Sequence, residues 1–166
     1  MNYFIVIRGP LGCGKSTIAQ KLAEILHAEY ISIDKILEKH GLDKISPRAE
    51  CIPAENFIKA NELVLPEVKE KLSKGKVVIF DACFYHKEQI EHLIQNLSTP
   101  HHVFTLKAPL EVCIGRDSKR KKTHGELAAT AVYKMVSKFD YGILIDANKK
   151  TIDQVVKEIL SYLPKP

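Results

Sequence analysis

Gly9-Pro10-Leu11-Gly12-Cys13-Gly14-Lys15-Ser16-Thr17 is the stretch on which the reading of this chain turns. Its spacing is G-x-x-x-x-G-K-[ST], and each position has a physical task. Backbone N–H groups cradle phosphate oxygens, the lysine pairs with the outer phosphates, and the hydroxyl reaches Mg²⁺. Glycine lets the backbone turn where a Cβ would obstruct and lets it approach an anion closely. The context agrees. Tyr3-Phe4-Ile5-Val6-Ile7 is a short apolar, β-branched run that reads as a strand,. Ser16 to His27 carries Ile18, Ala19, Leu22, Ala23, Ile25 and Leu26 at helical spacing,. A helix starting there points its positive dipole end at the loop. Gly9, Gly12, Cys13, Gly14, Lys15, Ser16 and Thr17 are therefore the expected nucleotide-binding residues.

Composition sets the outer bounds. The chain has 166 residues, of which 45% are hydrophobic and 27% charged, ordinary values for a globular domain and far from those of a disordered one,. No apolar run approaches the length needed to span a bilayer, so no membrane association is expected. The first residues lack a basic n-region and run straight into the loop, which predicts a cytoplasmic protein. A net charge of +5 suits anionic substrates and nucleic-acid contact equally well,. Cys13, Cys51, Cys83 and Cys113 show neither C-x-x-C nor zinc-type spacing and read as reduced thiols,. Cys13 stands apart, because its place beside Lys15 near a helix N-terminus predicts a lowered thiol pKa and a site for alkylation.

The remaining elements alternate. Ala28 to Asp34 reads as a second strand with Asp34 at its end, followed by a short helix over 34–40 and a turn-rich connection from Gly41 to Pro53,. Ala54 to Lys74 is helix-patterned, with Pro66 marking a kink or break and Gly75 a C-terminal cap. Val77-Val78-Ile79-Phe80-Asp81 is the strongest strand, continuous and apolar, and it ends in a carboxylate,. A helix over 87–97, a strand over 102–106, helical segments from Leu110 and from Glu126, a strand ending at Asp146 and a closing helix over 151–163 complete the chain. Strand–helix alternation predicts an α/β fold with right-handed crossovers. In such sheets ligands bind beyond the carboxyl ends of the strands, where the loop, Asp34, Asp81 and Asp146 all fall.

Phosphoryl transfer requires fixed donor phosphates, cations and metal to neutralise them, and a carboxylate near the acceptor hydroxyl. Lys15 and Ser16 fit the first requirement. Asp34 fits the acceptor side as a base or orienting group, its structural alternative being a helix N-cap. Asp81 fits a metal carboxylate acting through water, its alternative being a strand-end turn residue. Ser16 and Asp81 are thus the expected metal residues. Arg116 to Lys122 is basic. With a phosphate loop upstream it reads as a lid in which Arg116 and Arg120, four apart on one helical face, close over donor phosphates. His86, His92, His101, His102 and His124 read as packing or surface residues. Asp146-Ala147-Asn148-Lys149 is placed to meet an adenine ring.

With those residues in view, the chain resembles the small P-loop kinases: gluconate and shikimate kinases, adenylyl-sulfate kinase, zeta-toxin type phosphotransferases and polynucleotide 5′-kinase. Asp34 matches the acceptor-side aspartate, Val77 to Ala82 the metal-side strand, and Arg116 with Arg120 the lid. Arg116-Asp117-Ser118-Lys119-Arg120 with Gly125, Val132 and Met135 is similar to the polynucleotide-kinase lid. Pro109 to Cys113 followed by Arg116-Asp117 is similar to adenylyl-sulfate kinase. Polynucleotide kinases carry an arginine three residues after the aspartate, where this chain has Leu37.

The resemblance implies a single P-loop kinase domain over residues 1–166, with a lid at roughly 116–128. The expected architecture is a three-layer P-loop NTPase fold of about five parallel strands, with helices on both faces and a short helical lid. The expected activity is an ATP-dependent, Mg²⁺-requiring transfer of the γ-phosphoryl group to a hydroxyl or phosphate of a small metabolite or nucleotide. Lys15, Asp34, Arg116 and Arg120 would carry it, with Arg116 also touching nucleotide. A polynucleotide 5′-hydroxyl kinase, with nucleic acid as acceptor, is the second reading; a non-catalytic ATP-binding regulatory module is the reading from another class. The expected assembly is a monomer or homodimer. A GTPase is disfavoured, since Asn148-Lys149-Lys150-Thr151 fails the N-K-x-D pattern at its last position.

Overall fold

A strand covered on both faces favours a continuous apolar run, and the first element of the chain supplies one from Phe4 to Ile7 before ending in Arg8,. In the computed structural model, which describes residues 1–48, 50–121 and 123–165, β1 (Phe4–Arg8) is buried throughout. It takes the middle of the sheet. β3 (Val78–Asp81) pairs with it in parallel on one side and β4 (His101–Lys107) on the other. β2 (Glu29–Ser32) and β5 (Ile143–Asp146) form the edges, so the order is β2-β3-β1-β4-β5 with every pairing parallel.

Successive residues of a strand face opposite layers. Phe4, Val6, Val78 and Phe80 therefore enter one core, packed with Phe57, Val64 and Val68 of α3 (Ala54–Ser73) and with Ile90 and Leu93 of α4 (Lys87–Leu97). Ile5, Ile7, Ile79, Phe104 and Ile145 enter the other. There they meet Ile18 and Leu22 of α1 (Lys15–Leu26) and Val155 and Ile159 of α7 (Ile152–Ser161). Helices on both faces of five parallel strands give the three layers that the alternating sequence predicts, and the architecture is that of the P-loop NTPases.

Three local expectations change. β2 stops at Ser32, whose hydroxyl accepts from the Lys35 amide and caps α2 (Ile33–Lys39). Asp34 consequently sits in the first turn of a helix, not at a strand end, and the N-cap belongs to Ser32. Pro66 does not divide α3, which is one helix of 20 residues; the buried side chains on both sides of it, Val64, Leu65, Val68 and Leu72, offset the lost backbone hydrogen bond. Gly75 follows the C-cap residue Lys74 with φ +78°, as a helix end requires,. Finally, α5 (Leu110–Ser118) ends before Arg120, so Arg116 lies on the helix and Arg120 in the turn after it. α6 (Glu126–Val136) follows.

Arg8, at the end of the central strand, is fully buried. A buried cation must be surrounded by acceptors, and this one donates to Phe84 O at 3.2 Å, Thr105 Oγ1 at 3.1 Å, Val136 O at 3.1 Å and Phe139 O at 3.2 Å. Its guanidinium carbon lies 4.3 Å from the Phe139 ring centroid. Burial lowers its pKa to about 10, against the pull of Asp140 and Cys83, and it stays charged at neutral pH. The side chain thereby ties the C-terminal end of α6 to the sheet.

Candidate active site

The loop between β1 and α1 is shaped by two glycines. Gly12 has φ +79°, and a Cβ there would stand 2.1 Å from the Cys113 carbonyl oxygen on α5. Gly14, the N-cap residue of α1, has φ +92°. A side chain at either position is strained, and at Gly12 it collides with backbone. The close approach also fixes α5, and so Arg116, against the loop. Lys15 is buried, with Nζ donating to Pro10 O at 2.9 Å. Burial alone would lower its pKa; the carboxylates of Asp81 and Asp34 oppose that, its pKa is raised, and the ammonium holds its charge.

Cys13 corrects its expectation. It is 1% exposed, and desolvation raises its thiol pKa despite Lys15 and Arg116 nearby. Helix position lowers a thiol pKa only where water can reach the thiolate. Cys83 is likewise pushed up, to about 12, mainly by burial. Both are neutral packing residues.

Asp81 ends β3 and is 3% exposed. Its Oδ2 accepts from the Tyr30 hydroxyl at 2.5 Å. The phenol is raised to about 12, by burial first and then by that hydrogen bond and the carboxylate charge, so it remains a donor. Tyr30 also lies within hydrogen-bonding range of Ser16. A carboxylate, a loop hydroxyl and a phenol that orients the carboxylate make an all-oxygen set. Such a set fits Mg²⁺, which keeps several waters and takes few protein ligands. Among the described residues no cluster of three His, Cys, Asp or Glu could hold a metal ion by itself.

Two cavities flank the loop. The first, of about 370 Å³, is lined by residues Gly12 to Ile18, by Arg116 and Arg120, and by Ala147, Lys150, Ile152 and Val155. It holds four cations, Lys15, Arg116, Arg120 and Lys150, and no carboxylate among its described lining residues. The two arginines meet at this cavity from a helix and a turn, not from one helical face. Of the loop expected to meet an adenine ring, Ala147 lines the cavity, beside the apolar Ile152 and Val155 of α7. Asp146 instead accepts from the Asn148 amide at 2.8 Å and shapes that turn. Lys122 of the basic segment lies outside the described residues.

The second cavity, of about 380 Å³, lies on the other side of Leu11. Asp34 lines it, with Phe57, Tyr85, Val132, Met135 and His124. The Asp34 carboxyl is solvent-accessible at the cavity, and desolvation by the walls around it raises its pKa, with Asp81 adding and Lys15, His124 and Arg120 opposing. The loop that closes this cavity is pinned. Ile52 donates its amide to the Tyr85 hydroxyl at 3.0 Å, its carbonyl lies 2.7 Å from His86 Nε2, and Asn56 Nδ2 donates to Leu42 O at 3.0 Å. A bridge between Ser46 and Cys51 closes its tip.

Sequence reasoning missed the group that organises the segment between α5 and α6. Asp117 is 1% exposed; its Oδ2 accepts from Thr123 Oγ1 at 2.8 Å and from the His124 amide at 3.1 Å, and its Oδ1 lies 3.2 Å from His124 Nδ1. Burial would raise its pKa, but these donors outweigh it and the carboxyl is lowered. The sequence signal was an aspartate embedded in a basic run, which reads as one more solvated charge. Lys150, which in the sequence is part of a failed guanine motif, lines the first cavity with its Nζ donating to Glu158 Oε2 at 2.8 Å.

Comparison with known proteins agrees with this geometry. The AAA domain family profile matches residues 4–141. A putative adenylate kinase of Pyrococcus furiosus is 26% identical over 159 residues, covering 96% of this chain and 83% of its own length. Transcription factor bHLH140 of Arabidopsis thaliana is 30% identical over 139 residues, covering 80% of this chain; the match spans 14% of that protein's length. Among solved structures, a sugar kinase from Janibacter sp. superposes with a TM-score of 0.76 at 19% identity, covering 98% of this chain and 94% of that one. The fold is therefore that of the small P-loop kinases. No helix among the described residues is long and apolar enough to cross a membrane.

Proposed function

We propose, for a chain that belongs to the AAA domain family, an ATP-dependent kinase that moves the γ-phosphoryl group to a hydroxyl presented in the second cavity. The observation that carries this reading is the pairing of a cation-lined cavity with a carboxylate-bearing one across a single loop. A nucleotide-binding module needs only the first.

In this mechanism the loop amides and Lys15 hold the β- and γ-phosphates, and Arg116 and Arg120 draw off charge as it spreads over the transferring group. Ser16 and Asp81 would hold Mg²⁺, which supplies charge neutralisation and polarises the phosphates. Asp34 accepts the proton of the acceptor hydroxyl while that oxygen bonds to the γ-phosphorus. The bond from the γ-phosphorus to the β–γ bridging oxygen breaks and ADP leaves. The proton then passes from Asp34 to solvent. A carboxyl raised above its ordinary range is the better base for this, because its pKa lies nearer the working pH,.

The relatives named adenylate kinase and sugar kinase differ in acceptor, so neither name chooses one for this chain. The test is an ATP-consumption screen over alcohols, nucleosides, nucleotides and 5′-hydroxyl oligonucleotides. An acceptor-dependent rise in ADP that disappears in Asp34→Asn is expected. ATP binding with no such rise for any acceptor would leave the binding module as the reading.

A further inference from the structure

The two cavities carry opposite chemistry. The first gathers four cations for an anionic ligand; the second shows the reverse. Its walls are apolar, with Phe57, Tyr85, Val132 and Met135 among them, and its charged lining among the described residues is carboxylate, Asp34, Asp43 and Glu50 included, with no lysine or arginine. Among its described lining residues His124 is the one group able to carry positive charge, and that ring is already held by Asp117. Neither Asp43 nor Glu50 makes an ion pair among the described residues.

A phosphate or carboxylate taken out of water must meet a guanidinium, an ammonium or several donors, because desolvating an unpaired ion is prohibitive. Here it would meet the carboxylate of Asp34 and, at the exposed rim, those of Asp43 and Glu50, and like charges repel even where solvent weakens the effect,. The walls offer little hydrogen bonding in compensation, chiefly the one O–H that Tyr85 still has to donate,. The Tyr85 hydroxyl accepts from the Ile52 amide, and the Tyr85 ring packs edge-on against Phe57 at 5.2 Å between centroids. These same contacts keep the cavity formed instead of letting its apolar sides collapse together. A volume of about 380 Å³ suits a small organic molecule and is too large for a few waters,.

We infer that the acceptor is an alcohol with an apolar body and no phosphate or carboxylate, a neutral molecule or an amine-bearing one. This rests on the kinase reading above, with the second cavity as acceptor site. It removes the anionic half of the acceptors open to that reading, nucleotides among them, and it assigns the selection to Asp43 and Glu50 together with the apolar wall.

The experiment reads binding apart from turnover. Met135 and Met1 are the only methionines of the chain, so methyl-labelled methionine gives one NMR signal in the cavity wall and one at the N-terminus. The protein, loaded with a non-hydrolysable ATP analogue, is titrated with three naphthyl-methanol probes that differ only in a distal methyl, aminomethyl or carboxylate group. The neutral and amine probes are expected to shift Met135 and leave Met1 alone, with dissociation constants at least about tenfold below that of the carboxylate probe. Glu50→Lys should improve the carboxylate probe about fivefold or more and weaken the amine probe. Equal or tighter binding of the carboxylate probe by the wild type overturns the inference, as does a Met135 signal that no probe moves. Failure of the kinase reading looks different: Met135 still ranks the probes, but no alcohol raises ADP formation.

Discussion

The cavity beside Arg116 and the cavity beside Asp34 are nearly equal in size, about 370 and 380 Å³, and share the loop between β1 and α1 as a wall. They differ in everything a ligand would feel. One presents a glycine-rich backbone and four cations, the other apolar side chains and carboxylates. Backbone amides and a buried lysine suit any phosphate, which is why the first cavity is written in a short motif. Side chains from α2, α3, α6 and, apart from Leu11, three further loops build the second, so it can change its chemistry without touching the motif. On the proposed reading, the division makes the donor site generic and the acceptor site the place where this chain is individual.

The difference can be attacked from the donor side first. Lys15→Ala removes the ammonium that Asp81 and Asp34 help keep charged. Turnover should fall about a thousandfold and affinity for an ATP analogue should drop with it, as when a principal electrostatic donor is lost. Steady-state kinetics with a fluorescent nucleotide titration checks both. Arg116→Ala should cost about a hundredfold in kcat while nucleotide affinity changes much less, because the guanidinium acts mainly on charge that develops during transfer. Equal losses in kcat and affinity would make it a ground-state contact instead.

Asp117 joins the two sides, since its helix carries Arg116 and its partner His124 lines the acceptor cavity. Its folded pKa is lowered. Such a group contributes stability above its unfolded pKa, about 4, and loses that contribution as pH falls through the folded value. Asp117→Asn should therefore lower Tm at pH 7 by roughly 3 to 6 °C, corresponding to about 1 to 2 kcal/mol for charge-assisted hydrogen bonds under a thin cover of protein. The gap between wild type and variant should narrow below about pH 4. Thermal melts across pH check the sign, and a constant gap would mean that charge is not the cause. The smallest effect is expected from Tyr30→Phe, which removes the donor to Asp81. The Mg²⁺ concentration giving half-maximal rate should rise by up to about tenfold with kcat nearly kept.

How much of this was readable beforehand follows the same division. The sheet, its parallel sense and the donor loop are local signals: continuous apolar strands, helical spacing and one glycine-rich string. Asp34 and Asp81 stand out in the sequence by their place after apolar runs, and the structure puts Asp34 on the second cavity and Asp81 under the Tyr30 hydroxyl. The detail for Asp34 was wrong, because Ser32 takes the N-cap and moves it into a helix. Cys13 was misjudged because a sequence shows a charged neighbour but not burial, and here burial decides. The apolar acceptor cavity could not be read at all. Its lining comes from positions as far apart as Leu11 and Met135, and each of those side chains alone reads as core. Arg8 and Asp117 are buried charges whose partners lie on other elements or in an irregular turn, so pattern gives no sign of them.

The central claim is that one loop serves a donor cavity on one side and an acceptor carboxylate on the other, and Asp34→Asn measures it most directly. Affinity for an ATP analogue and acceptor-dependent ADP formation should be determined side by side in this variant. Because burial holds the Asp34 carboxyl above its ordinary pKa, the ionised group costs stability at neutral pH, and the amide should fold at least as well as wild type. The account predicts nucleotide affinity within about twofold of wild type and turnover lowered by about a hundredfold or more. Undiminished turnover in a variant that binds nucleotide normally would contradict it.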